Sequence, residues 1–274
     1  GPNHDKVAQS LFLLGFLYAD LGRYTEARSL QLRSLEIKER VLGPNHPDVA
    51  LILNKIAELD SLRGRYEVAE PLYRRALAIQ EKELEPDNVL IAVTLNNLAW
   101  QYYEQGRYES AELIFVRALA IRKKGYVPNH PLIAQSLNNL AFLYKAMARY
   151  ETAEKFFKQA LTIIENSLGP NHLNAATNNN NLAELYRQLG RYEAAEQLYK
   201  RALSIREETL GPDHADIAMS LNNLALLYKS QGRYEMVEPL LRRAMSILEQ
   251  TDRPNDPNFA TILDRKSTRL NSSH

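Results

Sequence analysis

The chain has 274 residues, and its 34 lysines and arginines against 33 aspartates and glutamates leave a formal net charge of +1, a balance that gives no reason to expect a nucleic-acid partner. It contains no cysteine, which excludes disulfides and cysteine-based metal sites and suits a reducing compartment. No stretch approaches the ~18 consecutive apolar residues of a membrane span, and no signal peptide is evident. Together these features predict a soluble, cytoplasmic protein without a membrane or nucleic-acid partner.

A three-residue turn, Gly-Arg-Tyr, recurs along the chain at a constant spacing. Its first residue stands at Gly22, Gly64, Gly106, Ala148 (in place of glycine), Gly190 and Gly232. Every step is 42 residues, without insertion, and a fixed period of this size is typical of a solenoid. We therefore expect a single array over residues 1–263. Its repeats would cover about 1–42, 43–84, 85–126, 127–168, 169–210 and 211–252, with a partial seventh at 253–263.

Each repeat has the pattern of two helices, as the second repeat shows. Gly43 can adopt the left-handed conformation that closes the preceding helix. Apolar residues at helical spacing then predict a first helix, helix A, from about Pro47 to Leu62. Gly64 ends it, and Tyr66 opens a second helix, helix B. No segment shows sustained alternation of period two, so the chain is predicted to be all-α.

The repeated pattern Asn-Asn-Leu-Ala-x-x-Tyr-x-x-x-Gly-Arg-Tyr-Glu-x-Ala-Glu-x-Leu-Tyr-x-Arg-Ala-Leu-x-Ile resembles the tetratricopeptide repeat (TPR). The 42-residue form, with Leu-Gly-Pro-Asn-His-Pro between units, is similar to the cargo-binding repeats of kinesin light chains and their bacterial relatives. The resemblance implies a right-handed TPR superhelix, an α-solenoid of six helix-turn-helix repeats plus a partial seventh A helix. It also implies a protein-binding scaffold whose A helices line a concave groove.

Three places depart from this pattern. Asp60 stands where the family has tyrosine, Gln31 stands where it has an aromatic residue, and residues 85–88 change the loop. These departures predict that the second repeat and its junctions are the weakest part of the array.

The last residues, 264–274, abandon the repeat and resemble a translated sequencing adapter. We interpret them as a non-native tail on a bacterial or metagenomic gene recovered from shotgun reads, and exclude them from functional reasoning.

Histidine is the first candidate for catalysis or metal binding, but five of the six histidines occupy one loop position: His4, His46, His130, His172 and His214. Successive repeats lie about 10 Å apart, too far for two histidines to share a metal ion. Asn88 stands at the same position in the third repeat, which favours a role in capping helix A. No phosphate loop, nucleophile elbow or zinc-protease motif is present. We expect no enzyme, no metal and no cofactor.

Asparagines in mid-helix form two columns along the A helices. The first contains Asn54, Asn96, Asn138, Asn180 and Asn222, and the second contains Asn97, Asn139, Asn181 and Asn223. Asparagine is an indifferent helix former, so these residues need a reason. For the second column we favour hydrogen bonds between repeats. For the first we favour the backbone of an extended peptide, which needs both donors and acceptors, with junction bonding as the alternative.

Residues three positions before Asn96, and four and seven positions after it, fall on the same face of helix A, as do their equivalents in the other repeats. Trp100, Tyr103 and Phe142 would form an aromatic patch for apolar anchors, the alternative being packing between repeats. A basic column, Lys145, Arg187 and Lys229, would favour acidic residues, the alternative being solvated surface.

The predicted function is an adaptor that holds an extended peptide, with a preference for acidic residues and an apolar anchor, in the groove. Phe12 and Phe16 would be exposed in the first repeat, which suggests contact with a neighbouring chain or a missing repeat. Two alternatives remain: a structural spacer or self-associating module, and a regulatory segment of a larger signalling protein.

Overall fold

The computed structural model describes residues 4–250, and the predicted seventh A helix and the tail lie outside this range. These residues form twelve α-helices and no strand. The A helices are α1 (Asp5–Asp20), α3 (Pro47–Leu62), α5 (Val89–Glu104), α7 (Pro131–Ala146), α9 (Leu173–Gln188) and α11 (Ala215–Ser230). The B helices are α2 (Tyr24–Leu42), α4 (Tyr66–Glu83), α6 (Tyr108–Gly125), α8 (Tyr150–Leu168), α10 (Tyr192–Leu210) and α12 (Tyr234–Gln250).

The helix bounds repeat with the period of the sequence. From one repeat to the next, each A helix and each B helix begins 42 residues later. The prediction of a first helix over Pro47–Leu62 and a second opening at Tyr66 is confirmed. The all-α fold class, an α-solenoid of helix-turn-helix repeats, is likewise confirmed.

The described residues divide into two compact units, residues 4–128 with α1 to α6 and residues 129–250 with α7 to α12. Within each unit, every helix packs against the next one along the chain. A helices of successive repeats also touch, α3 with α5 in the first unit and α9 with α11 in the second. No repeat could bury its apolar face alone, so this stacking supplies the core.

Alanine columns show where the helices approach most closely. One column near the start of helix A is fully buried: Ala50, Ala92, Ala134, Ala176 and Ala218, each at 0% exposure. Small side chains at these positions allow neighbouring helix axes to come together, and the larger side chains around them fill the remaining space.

The loop histidines cap the A helices, as their common position predicted. In each of the five, Nδ1 accepts a hydrogen bond from the backbone N–H two residues on, as His46 does from Asp48 at 3.1 Å. In the third repeat the Oδ1 of Asn88 accepts from the N–H of Leu90 at 3.0 Å. This bond satisfies a donor that the first helical turn leaves free.

Within each unit, a clamp of three side chains joins a B helix to the following A helix. In the first unit, the hydroxyl of Tyr102 donates to Glu70 Oε1 at 2.8 Å, and the turn arginine Arg107 pairs with Glu70 Oε2 at 3.0 Å. The Arg107 guanidinium also lies 4.0 Å from the centre of the Tyr102 ring. The second unit repeats the clamp twice, through Glu154 with Tyr186 and Arg191, and through Glu196 with Tyr228 and Arg233.

Asp60 takes part in a charge-swapped version of this clamp. Its carboxylate is fully buried and accepts from Arg28 Nε at 2.9 and 3.0 Å, and the turn arginine Arg65 pairs with it as well. Arg28 stands where later repeats have glutamate, and Asp60 where they have tyrosine. The departure from the family pattern is therefore accompanied by a matching change on the facing helix.

Gln31, the second departure, is also accommodated. Its amide is buried and donates to the carbonyl oxygen of Phe12 at 3.0 Å. Gly15 makes the room, because a Cβ on Gly15 would lie 2.5 Å from Gln31 Nε2.

Candidate functional site

The first asparagine column is more buried than a peptide-contacting row would require. Asn54, Asn96 and Asn222 are 2%, 8% and 6% exposed, and Asn138 and Asn180 are half-buried.

Part of this column bonds to the adjacent repeat. Asn97 Nδ2 donates to Asn54 Oδ1 at 3.4 Å, and Asn223 Nδ2 donates to Asn180 Oδ1 at 2.8 Å. These bonds join the second column to the first across the junction, as we favoured for the second column. Peptide binding by the first column stays a prediction.

Asn138 differs from these two. Its Nδ2 donates to Asn178 Oδ1 at 2.7 Å, while its Oδ1 is buried and has no hydrogen-bond partner in the described chain. An acceptor left in this state is energetically costly.

The aromatic residues of the predicted patch pack first onto the B helix of their own repeat. Trp100 meets Phe115 edge-to-face at 5.7 Å between ring centres, and Phe142 meets Phe157 in the same way at 5.2 Å. Tyr103 stands edge-to-face to Trp100 at 4.9 Å. Both Trp100 and Phe142 remain partly accessible. Trp100 and Tyr103 lie in the first unit, and Phe142 lies in the second.

The same A-to-B contact has a polar form in the second unit. Glu184, at the position of Trp100, accepts from the Tyr199 hydroxyl at 2.9 Å. The contact between these two columns, aromatic with aromatic or glutamate with tyrosine, was missed from the sequence. The constant spacing of 15 residues between partners, as in Trp100 and Phe115 or Glu184 and Tyr199, could have revealed it.

The three members of the basic column have different environments. Arg187 forms two hydrogen bonds with Glu184, Nε to Oε2 at 2.9 Å and Nη2 to Oε1 at 2.7 Å. Burial lowers the pKa of Lys145, against the opposing charge of Glu184. Lys229 is exposed. Arg187 is therefore already paired within its own helix, whereas Lys145 and Lys229 have cationic groups that no carboxylate bonds to in the described residues.

A cleft of about 430 Å³ opens in the first unit between α3, α4 and α5. Its lining residues are Glu58, Ser61, Leu62, Tyr66, Tyr73, Asn97, Trp100, Gln101 and Glu104. Trp100 is the only tryptophan of the chain. Of the predicted site residues, only Trp100 lines this cleft; its neighbour Gln101 was not anticipated.

Phe12 and Phe16 are half-buried rather than exposed, which corrects the expectation for the first repeat. They meet edge-to-face at 4.8 Å, and Lys55 Nζ lies 4.7 Å from the ring centre of Phe16. The exposed apolar residues of this region are leucines at helical spacing: Leu13, Leu14, Leu17 and Leu21, at 60%, 40%, 54% and 63% exposure. At the positions of Leu14 and Leu17 the second repeat buries Ile56 and Leu59, which are 0% and 5% exposed.

Within residues 4–250, no group of three or more histidine, aspartate or glutamate side chains could hold a metal ion. In the same part of the chain, no helix is both long and apolar enough to cross a bilayer.

Residues 6–82, 48–124, 132–208 and 175–250 each match the tetratricopeptide repeat. The chain therefore belongs to the tetratricopeptide repeat family, as the sequence pattern predicted. Repeats of this family are generally non-enzymatic scaffolds for protein–protein interaction. No curated protein matches the chain in sequence.

Solved structures include proteins of the kinesin light chain type. BtubC (BKLC) from P. vanneervenii is 25% identical with a TM-score of 0.69, over 85% of this chain and 92% of its own. A kinesin light chain-like protein of P. anserina with nearly identical TPR-like repeats is 24% identical, with a TM-score of 0.65 over 76% of this chain and 99% of its own. The apo form of RapI shares the fold at 15% identity, with a TM-score of 0.63 over 90% of this chain and 99% of its own.

Proposed function

We propose that the chain is a scaffold that binds an extended peptide along the groove face of its A helices. The observation that carries this proposal is the cleft at Trp100. It is a recess of about 430 Å³ with an aromatic wall, on the helix face where the family resemblance places the groove. Concave sites with aromatic walls and a few polar groups are typical of ligand binding.

The polar groups of the second unit support the same reading. The Asn138 side chain is half-buried and its Oδ1 has no partner in the described chain, so a small rotation of the amide would let this oxygen accept from a peptide N–H. Lys145 and Lys229 supply positive charge along one column, which favours acidic residues in the peptide segment that reaches them. Phe142 presents its accessible edge beside Lys145, whose Nζ lies 5.4 Å from the ring centre.

A peptide-display screen against the full chain would identify ligands, and fluorescence titration would then measure them. We expect Asn138→Ala and Asn96→Ala to weaken binding, by about fivefold for each backbone hydrogen bond lost, while the far-ultraviolet circular dichroism stays unchanged. Lys155→Ala, at an exposed position on the B helix α8, is the matched control and should bind normally. Unchanged affinity in both asparagine variants would defeat the model.

Self-association is the second candidate function, favoured by the leucine face of α1. Leu13, Leu14, Leu17 and Leu21 form an uncharged stripe that a second copy of α1 could cover. Sedimentation over a hundredfold concentration range separates the two functions. Association that Leu17→Glu abolishes would support self-association, and a monomer at every concentration would exclude it.

A further inference from the structure

We infer that the cleft beside Trp100 receives an arginine side chain of the bound peptide. This inference rests on the proposed function and names the chemistry of one ligand residue. Its basis is a comparison inside the chain, between repeat two and repeat five.

In the fifth repeat, an arginine of the chain itself binds the glutamate of helix A. The guanidinium of Arg187 makes two hydrogen bonds with the Glu184 carboxylate, and Glu184 also accepts from the Tyr199 hydroxyl. Burial opposes ionisation of Glu184, but the hydrogen bonds and charge of Arg187, with the Tyr199 hydroxyl, outweigh it and lower the pKa of Glu184. A planar guanidinium matches a carboxylate in this two-bond geometry.

Repeat two has the same glutamate and tyrosine without the arginine. Glu58 and Tyr73 stand 126 residues before Glu184 and Tyr199, three repeats away. At the position of Arg187 the second repeat has Ser61; the first repeat has Ala19 there, and the other repeats have the larger side chains Tyr103, Lys145 and Lys229. The cleft lies where these larger side chains are missing.

The charge of the cleft suits a cation. Glu58 and Glu104 both line it, and no lysine or arginine does. Lys55 bonds to Glu58 Oε2 at 2.9 Å, and Glu104 is exposed and makes no ion pair in the part of the chain that the structure describes. The cleft therefore carries an excess of negative charge.

The floor and the wall fit the two parts of an arginine side chain. The floor is polar, since Ser61 donates to Gln101 Oε1 at 2.9 Å and Gln101 Nε2 donates to the Tyr66 carbonyl at 3.0 Å. Later A helices have leucine at the position of Gln101, as at Leu143. The wall is the Trp100 ring, on which a guanidinium stacks and against which its methylene stem packs.

The single tryptophan makes the test direct. Peptides selected by display on the full chain are titrated by Trp100 fluorescence, each arginine being replaced in turn by citrulline, which has the same shape without the charge. We expect arginine to be enriched, and one citrulline replacement to weaken binding about tenfold, because a charge-assisted pair is roughly twice as strong as a neutral one. Equal affinity of every citrulline peptide would overturn the inference.

Three variants locate the effect. Glu58→Gln and Glu104→Gln should each weaken the arginine peptide about fivefold and leave the citrulline peptide unchanged. The charge-matched control Glu109→Gln, exposed on α6, should change neither. Ser61→Arg should place a guanidinium beside Glu58, as in repeat five, and abolish the preference for arginine without unfolding the chain. Retained preference in Ser61→Arg would refute the site.

The outcomes also distinguish a failure of the arginine site from a failure of the proposed scaffold function. Selected peptides that bind without regard to arginine would leave the scaffold proposal standing and refute the cleft. A screen that yields no binding peptide would refute the scaffold proposal and the inference with it.

Discussion

Ala148 is the one turn residue of the described chain whose left-handed backbone conformation is unfavourable for a residue with a Cβ. Its φ is 56°, and it is the only non-glycine residue with positive φ in the described chain. The same position is glycine in the other five turns, with φ between 70° and 73°. The turn itself is conventional, because the Ala148 N–H donates to the Lys145 carbonyl at 3.1 Å as the Gly106 N–H donates to Tyr103 at 2.9 Å.

The energetic consequence follows from two opposing terms. The left-handed conformation costs an L-residue about 1–2 kcal/mol relative to glycine, while glycine loses about 0.4–1 kcal/mol through the greater freedom of the unfolded chain. Ala148→Gly should therefore stabilise the fold by about 1 kcal/mol, which corresponds to a rise in Tm of about 2–4 °C. The converse change, Gly106→Ala, should destabilise it by a similar amount.

Urea and thermal unfolding followed by circular dichroism measure both variants. Gly106→Ala is a matched control because a Cβ there would meet no atom within 4 Å, so only the backbone term changes. The reasoning fails if Ala148→Gly lowers the unfolding midpoint, or if Gly106→Ala leaves it unchanged.

Two further predictions concern the clamps between repeats. Asp60→Tyr alone should lower the free energy of unfolding by about 3 kcal/mol, because it leaves Arg28 without its buried partner. Asp60→Tyr combined with Arg28→Glu should come within about 1 kcal/mol of the wild type, because it restores the tyrosine–glutamate clamp. Urea unfolding of the wild type and the two variants measures these differences, and a double variant at least as unstable as Asp60→Tyr would contradict the reasoning. For Glu154, burial opposes ionisation, but hydrogen bonds from Lys158, Tyr186 and Arg191 lower its pKa below the ordinary 4.5. Its stabilisation is complete above that value and disappears as the pH falls through the lower folded pKa. Glu154→Gln should therefore destabilise by about 1–2 kcal/mol at pH 7 and by little at pH 3, and an equal loss at both pH values would exclude the clamp as the cause.

The fold was predictable because one period governs both the chain and its helices. Gly64, Tyr66 and the loop histidines are local signals, and each acts on the backbone within two residues of itself: a left-handed turn, a helix start, a cap. Such effects are independent of distant partners, so the sequence alone was sufficient for the bounds of α3 and the start of α4.

The candidate site was less predictable because it depends on which side chains contact each other. Helical steps place Asn54 on the groove face, but they do not show that Asn97 of the next repeat takes up its oxygen. Phe16 was expected to be exposed, yet Phe12 and Lys55 cover part of its ring. The cleft at Trp100 depends on a side chain that is small, Ser61, and a missing side chain gives no motif to search for.

The exchanged charges of Arg28 and Asp60 also favour the first repeat as the predecessor of the second. At the position of Arg28, the later repeats have Glu70, Glu112, Glu154, Glu196 and Glu238. If recombination between similar gene segments placed the second repeat after any of these, Asp60 would face a carboxylate, and two like charges would be buried together. Loss or duplication of a gene segment that encodes 42 residues preserves the reading frame. The Arg28–Asp60 contact nevertheless makes a rearranged protein less stable if its second repeat follows any repeat other than the first.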